Sequence, residues 1–388
     1  MKIEVTINGK VVDVNINSKL KVSNDELYTV KVIDDINDVV QDIKVKQIAC
    51  GVEHTFIIDE CDRLLSTGRN NYGQLGLEDN VDRNIFTYTG YDGVQQVVCG
   101  EYCTYIIDEY DRLFATGLND KGQLGLGDNK NRNEFIFTDR RGVKQISCGE
   151  RHTFIINKYG WLFCAGCNSE GQLGLGDTDD RDVFTYTGIG NIKQVACGGE
   201  YTFIIDNVGN LLGAGSNYFG QLGLGDNNNN ICKFTNTYIT NAQQVSCGRL
   251  HTFVITKDGN VLATGRNENG QLGLGDNNDR RVFTYTGYDI IKEIICGEFN
   301  TFAISKYGGL YATGWNEHNQ LGLGDNNERY KFTDTGCQDI VKVACGRYHT
   351  VIMNYNGVIL ATGDNDYGQL GIGNNDDKNT FTKINISK

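Results

Sequence analysis

Val94-Gln-Gln-Val-Val-Cys99-Gly100 opens a stretch that returns, with small changes, every 49 or 50 residues. It runs on through Thr104-Tyr105-Ile106-Ile107 and Arg112-Leu113-Phe114-Ala115-Thr116, crosses a loop ending in Gly122-Gln-Leu-Gly125, and closes on Phe135-Ile136-Phe137-Thr138. Short apolar or alternating runs set apart by Gly, Asp and Asn are strand signals. No segment sustains a 3.6-residue apolar period over three turns. Each unit therefore reads as about four strands.

The Cys-Gly pair marks the period. It stands at Cys50, Cys99, Cys148, Cys197, Cys247, Cys296 and Cys345, with spacings of 49, 49, 49, 50, 49 and 49. A second block, Gly-Gln-Leu-Gly, follows at Gly73, Gly122, Gly171, Gly220, Gly270 and Gly368, and the sixth copy alone begins with Asn319. Seven units run from about Lys46 onward with no inserted domain. Four strands per unit, repeated around a ring, is the design of a propeller blade. The fold class expected is all-β, a seven-bladed β-propeller over residues 46–388 preceded by an extension over residues 1–45. In that extension Lys2–Ile7 and Lys10–Ile16 alternate around Asn8-Gly9, a type I′ hairpin signature. For ring closure the expectation is that Phe381-Thr-Lys-Ile-Asn-Ile386 joins the first blade, with Leu27–Val32 as its competitor.

Composition agrees with this reading and narrows the function. Of 388 residues, 49 are Gly and none is Pro, so turns must be built by Gly, Asn and Asp. Hydrophobic residues at 39% suffice for a large core, and no apolar run approaches the length of a spanning helix. The net charge of −13 is a poor match to nucleic acid or anionic lipid. The N-terminal Met1-Lys-Ile-Glu-Val5 lacks a secretory pattern, so the thirteen Cys read as reduced intracellular thiols. The expected location is cytoplasm or nucleus, or a virion if a large DNA virus encodes the chain, since the Asn, Ile, Lys and Tyr usage resembles that of AT-rich genomes.

Cys-Gly-x-x-His-Thr, as in Cys50-Gly-Val-Glu-His54-Thr55, together with Gly-x-Asn-x-x-Gly-Gln-Leu-Gly, as in Gly117 to Gly125, resembles the regulator of chromosome condensation repeat. The resemblance covers about nine-tenths of the chain and implies a seven-bladed propeller. Name-giving members of that family are nucleotide exchange factors for a Ran-type GTPase. In them the resemblance points to an inserted β-wedge and acidic residues in the Gly-x-x-His turns. Here the period leaves no room for a wedge, and the first variable turn position holds Val52, Glu101, Glu150, Gly199, Arg249, Glu298 and Arg347, with no Asp. Chromatin-binding members resemble one another in a basic N-terminal tail, whereas residues 1–46 are balanced in charge.

Each candidate chemistry has a structural counterpart. The Cys of Cys-Gly stand one per repeat beside apolar neighbours and read as buried small residues, not zinc ligands. Cys164-Ala-Gly-Cys167 is a single pair on a variable position. His54, His152, His251 and His349 share one slot with Cys103, Tyr201 and Asn300, and a turn hydrogen bond to backbone is the role expected of them. Asp177, Asp179, Asp180, Asp276 and Asp279 lack EF-hand spacing and read as Asx caps. Arg83, Arg132, Arg181, Arg280 and Arg329 read as local partners of these loop carboxylates. No catalytic set and no cofactor site is expected.

With four antiparallel strands per blade, alternate connections share a face, so the Cys-Gly turns and the Gly-Gln-Leu-Gly loops come together. The residues expected to form a partner-binding face there are Tyr102, Glu150, Arg151, Tyr201, Arg249, Phe299, Trp315, Arg347 and Tyr348. Aromatics and Arg among carboxylates are what protein hot spots use. The function expected is a non-catalytic scaffold for a protein partner. Exchange on a small GTPase and nucleic-acid association are the alternatives.

Overall fold

The computed structural model describes residues 2–7, 10–14, 28–33, 43–225 and 230–386. It divides into two compact units, residues 1–43 with 386–388, and residues 44–385. The first unit contains an antiparallel sheet in which Lys2–Ile7 lies between Lys10–Val14 and Tyr28–Ile33. Ile7 pairs with Lys10 at one end of that ladder. The expected turn at Asn8-Gly9 itself lies outside the described residues. The strand at Tyr28–Ile33 pairs with Lys2–Ile7, so the segment weighed as a competitor for ring closure belongs to this small sheet.

The second unit is a seven-bladed propeller. Its first blade runs in chain order through Val45–Cys50, His54–Asp59, Leu64–Gly68 and Arg83–Tyr88. Every later blade repeats that order, ending with Ile340–Cys345, His349–Asn354, Ile359–Gly363 and Lys378–Lys383. The expectation for closure is corrected here. Phe381 lies on the fourth strand of the seventh blade, where Thr382 pairs with Ala361, and the first blade is completed by its own Arg83–Tyr88. The physical reason is local. Each long loop brings the fourth strand back beside the third, so seven Cys-Gly strands and seven Phe-Thr strands tally without exchange.

Side-chain burial explains why the blades form a ring. The second strand is buried on both faces, and the core lies between blades: Phe56, Ile58, Leu64 and Leu75 of the first pack with Val94, Val97, Ile106 and Phe135 of the second. The Leu of every Gly-Gln-Leu-Gly, from Leu75 to Leu370, is fully buried, a term of roughly 1.5–3 kcal/mol each. The loop also reaches forward. Leu126 of the second blade bridges to Val183 on the fourth strand of the third, and Ile372 of the seventh bridges to Ile85 of the first. Gly76 shows why its position is glycine: its φ is 65°, and a Cβ there would lie 2.4 Å from the Phe135 ring of the next blade.

The loop's own shape comes from one Asn. Asn119 Oδ1 accepts from Leu124 N–H at 2.8 Å, and its Nδ2 donates to the Asp128 carbonyl at 2.7 Å. Asp128 in turn accepts from Lys130 N–H and pairs with Arg132 at 2.8 Å. The same Arg–Asp pair, four residues apart, recurs at Arg83–Asp79, Arg181–Asp177, Arg280–Asp276 and Arg329–Asp325. The loop arginines are local clamps, as expected. Two of the carboxylates weighed for calcium, Asp177 and Asp276, are clamped in the same way: Asp177 takes Asn168 Nδ2, Asp179 N–H and the Arg181 guanidinium, and Asp276 pairs with Arg280.

Candidate functional site

The first strand of each blade ends at Cys-Gly, and the seven turns that follow surround the mouth of the central channel. The cavity there is about 140 Å³ and is lined by the seven Cys-Gly pairs together with Val52, Glu101, Glu150, Gly199, Arg249, Glu298 and Arg347. Main-chain hydrogen bonds pass from blade to blade around it. Val52 N–H donates to Glu101 O, Glu150 to Gly199, Gly199 to Arg249, Arg249 to Glu298, and Arg347 back to Val52, at 3.1–3.2 Å. Five of the seven junctions between neighbouring turns are tied in this way.

Beneath the mouth each slot shared by the histidines is a joint between blades. His54 Nε2 lies 3.1 Å from Thr104 of the next blade, His152 is 2.9 Å from Thr202, His251 is 2.9 Å from Thr301, and His349 is 2.9 Å from Thr55. The expected bond to backbone is therefore corrected: the partner is a Thr hydroxyl. That hydroxyl spends its own proton on a loop carbonyl, as Thr55 does on Gln369 O at 2.7 Å, so the imidazole must donate through Nε2. Nδ1 is left bare and buried in all four. Burial pulls the imidazole pKa down to about 3 at His54, His152, His251 and His349. Gly51 must be glycine because a Cβ would meet the His54 ring at 2.0 Å.

Repeats without His solve the joint in other ways. In the second blade Cys103 fills the slot and Tyr105 takes over, its hydroxyl 2.9 Å from Thr153. In the fourth, Tyr201 is fully buried, with its hydroxyl donating to Gly248 O at 3.0 Å and 3.0 Å from Thr252. Tyr201 is thereby removed from the partner-binding face on which it was expected. In the sixth, Asn300 is too short, and neither its Oδ1 nor its Nδ2 has a partner.

Burial disfavours the thiolate at all seven Cys-Gly pairs. Burial pushes Cys50, Cys197 and Cys296 up to about 12, and drives Cys99, Cys148, Cys247 and Cys345 well above the ordinary thiol range. Cys164 and Cys167 are both buried free thiols. Among the described residues, one group of three ligand atoms lies within 4.8 Å, that of Asp364, Asp366 and Asp377.

The remaining expected face residues do come together. Phe299, Trp315 and Tyr348 are partly exposed and form edge contacts with ring centroids 5.7 Å (Phe299–Trp315) and 5.4 Å (Trp315–Tyr348) apart. His318 joins them, 4.4 Å from Tyr348. Arg249 lies 5.8 Å over Phe299, and Arg347 lies 5.1 Å over Tyr348. Across the mouth, Tyr102 packs on Tyr72 at 5.4 Å, and Arg69 spans Tyr102 and Tyr367 while pairing with Glu53 at 2.6 Å. Glu150 pairs with Arg249 at 2.7 Å, and Glu298 pairs with Arg249 and, at 2.9 Å, with Arg347. Arg151 is exposed and pairs with Asp120 at 2.7 Å. Sequence reasoning missed Arg69, Tyr72, His318 and Tyr367. All four stand at variable positions of Gly-x-Asn-x-x-Gly, where scanning the loop columns for rings and guanidinium groups would have found them.

Models of the regulator of chromosome condensation (RCC1) repeat match residues 62–107, 110–156, 159–205, 209–255, 258–304 and 307–353, and a second model of the same repeat matches 45–74, 143–172, 192–221, 242–271 and 340–369. Human X-linked retinitis pigmentosa GTPase regulator is 51% identical over 43 residues, 11% of this chain and 4% of that protein. Its Caenorhabditis elegans homolog is 41% identical over 46 residues, 12% of this chain and 3% of that protein. The chain thus spans a small fraction of the length of these curated relatives. Among solved structures, human WBSCR16 has a TM-score of 0.74 at 20% identity, covering 84% of this chain and 94% of that one. Yeast RCC1 (Prp20), solved bound to Kap60, has a TM-score of 0.70 at 20% identity, covering 78% of each chain.

Proposed function

Since the chain belongs to the regulator of chromosome condensation repeat family, a propeller that hosts unrelated activities, we propose that it is a non-catalytic scaffold presenting its long-loop face to a protein partner. The observation that supports this is the arc of half-exposed aromatic rings and guanidinium groups around the channel mouth, from Phe299, Trp315 and Tyr348 to Arg69, Tyr102 and Tyr367. Aromatic and Arg side chains carry most interface energy when a partner excludes water from them. The test is capture of partners from native extract on the full chain and on Trp315→Ala and Tyr348→Ala. Tyr159→Ala and Tyr307→Ala, which sit exposed on the connections of the opposite face, are the controls. A partner lost from the first pair and kept by the second supports the reading, and equal behaviour of all four refutes it.

Exchange on a Ran-like GTPase is the second reading. A structure of Prp20p from Saccharomyces cerevisiae was described together with its binding properties to Gsp1p and histones, and it shares the fold at 20% identity with a TM-score of 0.68. Against exchange stand the short connections between blades, such as residues 89–93 between Tyr88 and Val94, which hold no inserted wedge. Release of a fluorescent guanine nucleotide from Ran, with and without equimolar protein, decides: acceleration of a hundredfold or more would replace the scaffold reading. For the third alternative, binding to nucleic acid or chromatin, the −13 net charge weighs in the opposite direction.

A further inference from the structure

One carboxylate at the channel mouth is left without a counter-ion. Glu150 and Glu298 are both engaged by guanidinium groups. Glu101 stands on the same ring, fixed there by the Val52 N–H on its carbonyl, yet among the described residues its carboxylate makes no ion pair and no side-chain hydrogen bond. The mouth therefore carries three carboxylates against two guanidinium groups, with Val52 and Gly199 adding no charge. The cavity of about 140 Å³ that Glu101 helps to line is wide enough for a side-chain head group, and the residues around it are the seven Cys-Gly pairs with Glu150, Glu298, Arg249, Arg347, Val52 and Gly199. An anion would meet the surplus negative charge. A metal ion would find no set of three close ligands, since the described residues gather such a set elsewhere, at Asp364, Asp366 and Asp377.

Resting on the reading that this face docks a protein, we propose that the mouth receives one basic side chain, lysine or arginine, from an extended segment of the partner, with Glu101 as its counter-ion. Flanking residues of that segment lie on the Phe299, Trp315 and Tyr348 rings. The charge count identifies the occupant: a single cation brings the ring to balance. An ammonium or guanidinium head carries three or more N–H donors. Two find the Glu101 oxygens, and others find the second lone pairs of carbonyls already bonded around the ring. Burial of Glu101, with Glu150 and Glu298 close by, holds its carboxyl up to about 7 against the opposing pull of Arg249 and Arg347, neither of which pairs with it directly.

The experiment uses a random phage-displayed peptide library as the probe, panned on the full chain. Selected peptides are resynthesised and their dissociation constants measured on wild type, Glu101→Gln, Glu101→Lys and Trp315→Ala, with Asp258→Asn on the opposite face as the charge control. The expected result is that peptides displaced by Trp315→Ala share one Lys or Arg. Their affinity falls at least tenfold in Glu101→Gln and further in Glu101→Lys, whose own ammonium fills the mouth, and Asp258→Asn leaves it unchanged. Replacing the shared Lys by Arg and by norleucine in the peptide separates guanidinium from ammonium and both from apolar contact. Melting temperatures of the Glu101 variants no lower than that of the wild type exclude a folding defect. Peptides that need Trp315 but carry no shared basic residue, and that ignore Glu101→Gln, would overturn the proposal while leaving the docking face intact. Peptides indifferent to both Trp315 and Glu101, or no binder on this face, would overturn both.

Discussion

Lowering the pH should unfold this propeller through its histidine joints well before its surface carboxylates titrate. The four imidazoles have folded pKa values of about 3, against an ordinary histidine value of 6.5. A depressed folded pKa means that below 6.5 the unfolded chain takes up protons the fold cannot accept, so stability present at neutral pH is lost as pH falls from 6.5 toward 3. Each such group costs about 1.4 kcal/mol per pH unit. At pH 5 that is about 2 kcal/mol per imidazole and about 8 kcal/mol for four. Glu101 works the other way: raised to about 7 from 4.5, it protonates first in the fold and returns about 2 kcal/mol over the same window. Glu150, Glu200, Glu298 and Asp364, all raised by burial, add to that offset close to pH 5. The net loss between pH 7.5 and 5 should be about 5 kcal/mol or somewhat less. The loop carboxylates Asp79, Asp128, Asp177, Asp276 and Asp325, held low mainly by their hydrogen bonds and Arg partners, contribute only below about pH 4. Urea unfolding followed by tryptophan fluorescence at half-unit pH steps measures the slope. His251→Asn should cost about 2 kcal/mol at pH 7.5, through the lost bond to Thr301 and the space left behind, and that gap should close by about 2 kcal/mol at pH 5. Stability curves of wild type and His251→Asn that stay parallel down to pH 5 would refute the buried neutral joint.

Phe381→Ala should destabilise the whole ring by about 3 kcal/mol, because Phe381 covers Gly322 of the preceding loop and packs on Phe302; one cooperative transition at lower urea is the expected trace. Asn119→Ala should cost about 2 kcal/mol, having lost two buried hydrogen bonds, while Arg132→Ala should cost less than about 1 kcal/mol, and thermal unfolding of both ranks them. In the native protein at pH 8 a disulfide reagent should react quickly with one thiol, Cys61, which alone of the thirteen is exposed; fast reaction at the half-buried Cys-Gly thiols as well would contradict their raised pKa values.

The repeat made most of the fold legible, because its two glycine blocks fall where the chain approaches itself too closely for a Cβ. Closure was misjudged by treating the outer strand as an element that must be borrowed, when each loop is long enough to return its own. The error at Tyr201 has a similar root. Its column, shared with four histidines, decides its burial, and an aromatic there fills the joint as imidazole does. The glutamines of the first strand were invisible as structure, since Gln alternating with apolar residues looks like a solvent face. Gln47, Gln194 and Gln244 instead clasp both the N–H and the C=O of the next blade's first strand. The aromatic arc was half legible: the Cys-Gly turns yielded Tyr102, Phe299 and Tyr348 and the loop yielded Trp315, whereas the loop column that supplies Tyr72, His318 and Tyr367 went unread.

The forward reach of the long loops gives the ring a sense of rotation. Every blade grips the next and is gripped by the one before, so the joints are head-to-tail, the kind of contact that yields either a closed cycle or an endless filament. Seven identical steps happen to complete the circle, and the joint between the seventh blade and the first, where Ile372 meets Ile85 and His349 meets Thr55, is built of the same contacts as the rest. The propeller behaves as a tethered cyclic heptamer whose subunits have drifted apart in sequence. Its geometry tolerates drift in any single joint, as Asn300 illustrates, but not the gain or loss of one whole unit, which would leave a loop with nothing to hold.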